Sequence, residues 1–193
     1  MHKHDSSPTR IIATIILGSA FVCGLVTCLL ILESCLFLNC VEERSFNALV
    51  LEIPSDLFPS GANITPIHRP SESQGAFESA SMAFYWQSGN SHAGYDVWRF
   101  RKEKEASRAF LAESGGSLYD GKSADFYHSS IADEFAVGCG IRWGFGYRCN
   151  MAARYQEYVV NFHSVIDQEM THDMFNQVII FIDEQMAHYL YEQ

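Results

Sequence analysis

Between Arg10 and Glu33 the chain runs for 22 residues, Ile11 to Leu32, without a charged side chain. Coiled as a helix, such a run is about 33 Å long, enough to cross the hydrocarbon core of a bilayer. It contains Gly18, Gly24 and many β-branched residues, which lipid tolerates and water-soluble helices avoid. It is too long and too uniformly apolar for a buried helix of a globular core. The expectation is a single transmembrane helix over 11–32, with a tail over 1–10, a connector over 33–45 and one domain over 46–193. Lys3 and Arg10 precede the run, whereas Glu33, Glu42 and Glu43 follow it with only Arg44. The positive-inside rule then leaves the tail in the cytoplasm and the domain outside the cell membrane. A cleaved signal peptide is the main alternative, but no small-x-small site closes the run. A lipoprotein is the other, and Leu25-Val26-Thr27-Cys28 lacks the small residue such acylation needs before its cysteine.

The charge deficit of 10 falls entirely beyond residue 40, because Lys3 and Arg10 cancel Asp5 and Glu33. An acidic domain repels phosphate backbones, so nucleic acid and anionic lipid surfaces are not expected partners. At 48% hydrophobic residues the chain can still bury a substantial core.

Cysteine usage agrees with an oxidising compartment. Of six cysteines, Cys23 and Cys28 lie within the span, where they pack as small apolar residues. Cys35 and Cys40 lie just beyond it; pairing with each other, pairing with a second chain and remaining free all stay open. Cys139 and Cys149 frame Gly-Ile-Arg-Trp-Gly-Phe-Gly-Tyr-Arg, which reads as two strand ends around a glycine turn. A hairpin centred on Gly144 sets the two cysteines opposite each other, close enough for a disulfide. Zinc is not expected, because four ligands are needed and there is no Cys-x-x-Cys or matching histidine pair.

The domain reads as α+β: an antiparallel sheet with two helices packed on it, both on one face. Strands are expected at Phe46–Ile53, Ala83–Gln87, Tyr95–Phe100, Ala124–His128, Glu134–Ile141, Tyr147–Ala152 and Tyr158–His163. Helices are expected from Lys102 to Ser114, stopped by Gly115-Gly116, and from a Thr171 cap onward. Phe175, Val178, Ile179, Ile182, Met186 and Tyr189 line one face of the second. Pro54 to Gly75 reads as a loop; its Asn63-Ile64-Thr65 is a glycosylation sequon, with Pro66 next to it.

Tyr95-Asp-Val-Trp-Arg-Phe100 before a helix, Ile131-Ala-Asp-Glu134, Tyr158-Val-Val-Asn-Phe162 and a closing amphipathic helix form a pattern over about half the chain. This pattern resembles small membrane-anchored or lipid-modified extracytoplasmic domains of bacteria. The resemblance implies a fold and a location, and no active site.

No phosphate-binding glycine motif, nucleophile elbow or His-Glu-x-x-His occurs. The glycines of Gly138–Gly146 lie between strands rather than before a helix, so a hairpin explains them better than a phosphate cradle. His163 and His172, near Asp167, Glu169 and Asp173, form the most metal-like cluster, and a solvated acidic turn is its simpler reading. Asp133-Glu134 offers paired carboxylates, though neighbours on a strand point to opposite faces. His128 with Ser129 and Ser130 lacks a third partner for a hydrolase triad. Arg99, Arg101, Lys102, Lys104 and Arg108 make a basic cluster interleaved with glutamates, as on an exposed salt-bridged face.

No catalytic residue, cofactor or metal is therefore expected. The expected function is that of an extracytoplasmic interaction or accessory protein, anchored in the membrane through Ile11 to Leu32 and bound to another protein, as a small subunit of a membrane complex would be. The alternative is a small-ligand or sensor domain, with Tyr85, Trp86, Trp98 and Phe126 lining an apolar pocket. The expected contact is the turn Arg142 to Gly146. It presents Trp143 and Phe145 between Arg142 and Arg148, and a disulfide just behind would keep it rigid.

Overall fold

Segments rich in aromatic, β-branched and small apolar residues build six strands in the protein, whose computed structural model describes residues 43–70, 74–87, 91–115, 126–142 and 146–192. The strands are β1 (Asn63–His68), β2 (Glu78–Trp86), β3 (Ser91–Arg99), β4 (Glu134–Arg142), β5 (Gly146–Tyr155) and β6 (Tyr158–Val165). Two helices, α1 (Glu103–Ser114) and α2 (His172–Tyr191), follow β3 and β6. The expected span Ile11 to Leu32, Cys35, Cys40, Trp143 and Phe145 lie outside the described residues. Among the described residues no helix is long and apolar enough to cross a membrane.

One sheet of order β1-β2-β3-β6-β5-β4 results, antiparallel throughout. The chain lays down the meander β1-β2-β3, crosses over by α1 to the far edge, and returns inward by β4-β5-β6 until β6 pairs with β3. The β5–β6 turn is tight, with Gln156 in the left-handed region at φ 54°.

Alternate residues of the strands face two separate apolar layers. Met82, Phe84 and Trp86, Tyr95 and Val97, Met151 and Tyr155, and Val160 and Phe162 form the first. It is covered by Phe175, Val178, Ile179, Ile182 and Met186 of α2 and by Phe46, Leu51, Ile53 and Phe58. Phe162 stacks on Phe175 with ring centroids 5.2 Å apart, and full burial of each such side chain stabilises the fold by about 1.5–3 kcal/mol. The second layer is smaller: Trp98, Val159 and Ala152 meet Ala106 and Phe110 of α1. The helices thus pack on opposite faces of the sheet rather than on one. Trp98 and Val159 alternate with Val97 and Val160, so the central strands are apolar on both faces over this stretch and each face takes a helix.

The helix ends follow their local chemistry. Thr171 Oγ1 accepts a hydrogen bond from the Met174 amide at 3.3 Å, and Asp173 sits in the first turn of α2. Glu103 and Glu105 occupy the first turn of α1, and the Gly115 amide bonds back to the Leu111 carbonyl at 3.1 Å.

Three expectations are corrected. Phe46–Ile53 is not a strand: Asn47 caps a 3₁₀ turn over Ala48–Val50, its Oδ1 accepting from the Leu49 amide at 3.0 Å. Residues 126–130 are not a strand either, because the Tyr127 amide donates to Asn176 Oδ1 of α2 at 3.1 Å instead of to a neighbouring strand. Conversely, the expected loop Pro54 to Gly75 contains β1. It is an edge strand, where Pro66 is tolerated because no ladder bond is needed from it, and the register shifts between Thr65 and His68.

Candidate functional site

The β4–β5 hairpin concentrates the chemistry. Cys139 and Cys149 are directly opposite in register, with Cα atoms 4.0 Å apart, and form a disulfide as expected. Both lie on the first face; Cys139 is 6% exposed and Cys149 0%. Two residues nearer the turn on the same face, Ile141 and Tyr147 are again direct partners. Ile141 is 81% exposed and Tyr147 40%. Gly146 takes φ 77°, a conformation only glycine adopts without strain, and so ends the turn.

The arrival of α2 at this point is locally determined. Asp167 Oδ1 accepts from the amides of Glu169 and Met170, both at 2.8 Å, and its Oδ2 accepts from Trp86 Nε1 at 3.0 Å. This turn brings His172 to the hairpin, where its ring meets Tyr147 (5.7 Å) and Phe126 (5.8 Å). Donor atoms of Cys139, Cys149 and His172 all lie within 4.8 Å of one another.

The opposite face of the same strands is polar. Arg148 is 6% exposed, so it is turned onto the sheet rather than outward at the tip. Its guanidinium donates to His92 Nε2 at 2.6 Å. Arginine has no acceptor, so that nitrogen carries the lone pair and His92 is the neutral imidazole. Burial first, and the Arg148 charge second, lower the pKa of His92 accordingly. Neighbouring in register are Asn150, His163 and Gly94, then Asn161 and Asp96. His163 lies across Gly94 so closely that any Cβ there would strike its imidazole. Ser81 Oγ donates to Asp96, whose pKa burial nevertheless raises. Asn150, 9% exposed, has its Oδ1 without a hydrogen-bond partner.

The structure separates most groups that sequence set side by side. His163 belongs to the polar face with His92, whereas His172 reaches the disulfide, so the two do not share one site. Asp133 lies just ahead of β4, and both it (3.1 Å) and Glu134 bind Arg154 as ion pairs. His128 packs against Phe135, with ring centroids 6.0 Å apart. Arg99 of the basic cluster is buried against Glu157 (3.3 Å) and Glu78 (3.8 Å). Tyr85 and Trp86 point to opposite faces, Trp98 lies under α1 and Phe126 against α2, so the four aromatics line no common pocket.

One buried polar cluster was not anticipated. Asp183 of α2, 4% exposed, accepts from Tyr127 Oη (2.6 Å), Ser129 Oγ (2.5 Å) and Tyr155 Oη (2.8 Å). Burial, and then the bond to Asp183, push the Tyr127 hydroxyl up to about 12. Ser129 is thereby fixed as a donor to a carboxylate and an acceptor from the Ile131 and Ala132 amides, a bracing role. The signal available in the sequence was a lone carboxylate within the apolar stripe of α2, one residue past Ile182.

No protein family, curated protein or solved structure matches the chain.

Proposed function

We propose that the chain is a membrane-held interaction protein, anchored by Ile11 to Leu32 with its tail cytoplasmic and the 46–193 domain outside, and that the end of the β4–β5 hairpin binds a protein partner. The observation that carries this reading is the exposure of Ile141 (81%) beside Tyr147 (40%), immediately beyond the disulfide. A hairpin end in water is normally polar, and adjacent apolar side chains there invite association unless covered. Trp143 and Phe145 lie between Ile141 and Tyr147 in the sequence. The disulfide restrains the hairpin, so little conformational entropy is lost on docking.

The experiment is isolation of the tagged full chain in mild detergent, beside a variant carrying Ile141→Ser and Tyr147→Ser. Loss of a specific companion with the melting temperature unchanged is the expected result, and protease added outside the intact cell should cleave the domain. A variant that is destabilised yet keeps its companion makes these residues part of the fold and removes the contact. A second reading, a small-ligand domain, draws on the unpartnered Asn150 Oδ1 beside Arg148 and His163. It requires association to be indifferent to both hairpin substitutions.

A further inference from the structure

The disulfide has a third group beside it that a purely structural brace does not need. A nitrogen of His172 lies within 4.8 Å of both Cys139 and Cys149 sulfurs. We propose that, once this disulfide is reduced, Cys139, Cys149 and His172 bind one zinc ion, with a fourth position open to solvent. Points no more than 4.8 Å apart share a centre within about 2.8 Å of each, against zinc–ligand distances of about 2.0–2.3 Å, so only small rotations are required. Two thiolates on tetrahedral zinc stand about 3.7 Å apart, which cysteines opposite each other on adjacent strands can span. The ladder is paired on both sides of the cysteines, Val137 with Met151 and Ile141 with Tyr147, so the sulfurs remain face to face when the bond is cut. His172 is exposed and opens α2, so its ring can turn toward the sulfurs without leaving a packed core.

The chemistry balances with a dithiol as reductant. Its two sulfurs transfer two electrons to the Cys139–Cys149 bond, it closes into its own disulfide, and two free thiols result. Binding of zinc then releases two protons to solvent as both cysteines become thiolates. The hairpin thus has two braced states, covalent when oxidised and metal-linked when reduced.

The test uses the full chain in detergent micelles, reduced with a water-soluble phosphine that competes little for zinc, and titrated with zinc chloride against a chromogenic chelator. The oxidised protein is the control, because His2 and His4 are present in both states. Reduction should add one zinc equivalent. His172→Ala should weaken that site by about 100-fold or more, since loss even of outer-shell partners costs about 10–100-fold. Cobalt in place of zinc should show thiolate charge-transfer absorption in the reduced chain alone. The proposal is overturned if reduction adds no equivalent, if His172→Ala binds as tightly as the parent, or if near-ultraviolet circular dichroism shows that the reduced chain loses its packing.

Discussion

Asp183 braces α2 to the segment that leads into β4 and to Tyr155 of β5, and replacing it with Asn tests that. The carboxylate accepts three hydroxyl hydrogen bonds at 2.5–2.8 Å, two on Oδ1 and one on Oδ2. Hydrogen bonds to a charged group contribute about 1.5–3 kcal/mol each, against about 0.5–1.5 for neutral pairs. Asn offers one acceptor oxygen and an NH₂ that meets a donor, so at least one hydroxyl loses its acceptor, at about 1–3 kcal/mol, and the remaining bonds weaken. Removal of the buried charge offsets part of this, leaving a net loss of about 2–4 kcal/mol. At about 2–4 °C per kcal/mol for a domain of this size, Asp183→Asn should lower the melting temperature by about 4–16 °C. Differential scanning calorimetry of the full chain in micelles reads the shift. Ultraviolet titration adds an independent readout: Tyr127, held up to about 12, should ionise at lower pH in the variant, though not fully normally because burial persists. A shift below about 2 °C, or an unchanged Tyr127 titration, refutes the assignment of the brace to these three bonds.

Gly94→Ala should cost about 1–3 kcal/mol in urea denaturation, because its methyl meets the His163 ring; the double variant with His163→Ala should lose less than the sum of the two single losses, and strict additivity would refute the contact. For Glu157, burial raises the pKa, but the hydrogen bond and charge of Arg44, a backbone amide and Arg99 outweigh it and hold the carboxyl below its ordinary 4.5. A depressed folded pKa stabilises above the unfolded value and is lost as pH falls through the folded one. The stability gap between the parent and Arg44→Met should therefore be full at pH 7 and narrow below about pH 4.5, whereas a constant gap down to acid would show that Arg44 acts by packing alone.

What sequence made legible was whatever depends on neighbours along the chain. The strand-forming segments of β4, β5 and β6, the Thr171 cap, the stripe from Phe175 to Met186 and the pairing of Cys139 with Cys149 are all short-range patterns. What it hid depends on tertiary choice. Strand Asn63–His68 was hidden by Pro66, since the free edge that excuses a proline is known only after assembly. The face taken by α1 was hidden because Trp98 and Val159 look like ordinary strand residues until β3 and β6 become central. His172 lies 23 residues from Cys149, and only the turn at Asp167 brings them together.

Register is the quantity on which the proposed contact and the proposed cation site both depend. Along β5 the side chains of Tyr147 and Cys149 point to one face, those of Arg148 and Asn150 to the other. A slip of one residue against β4 or β6 would carry Arg148 into the apolar layer against α2 and turn the cysteines toward His92. Gly138 and Gly140 flank Cys139 on β4, and strands poor in side chains specify register weakly. The ladder from Val137–Met151 to Ile141–Tyr147 already aligns the two strands, and the pair at Cys139–Cys149 adds to it a bond that exists in one register alone. Its position explains why the chemistry gathers here: a pinned hairpin can leave Ile141 and Tyr147 exposed beyond the last covered residue without slipping to bury them.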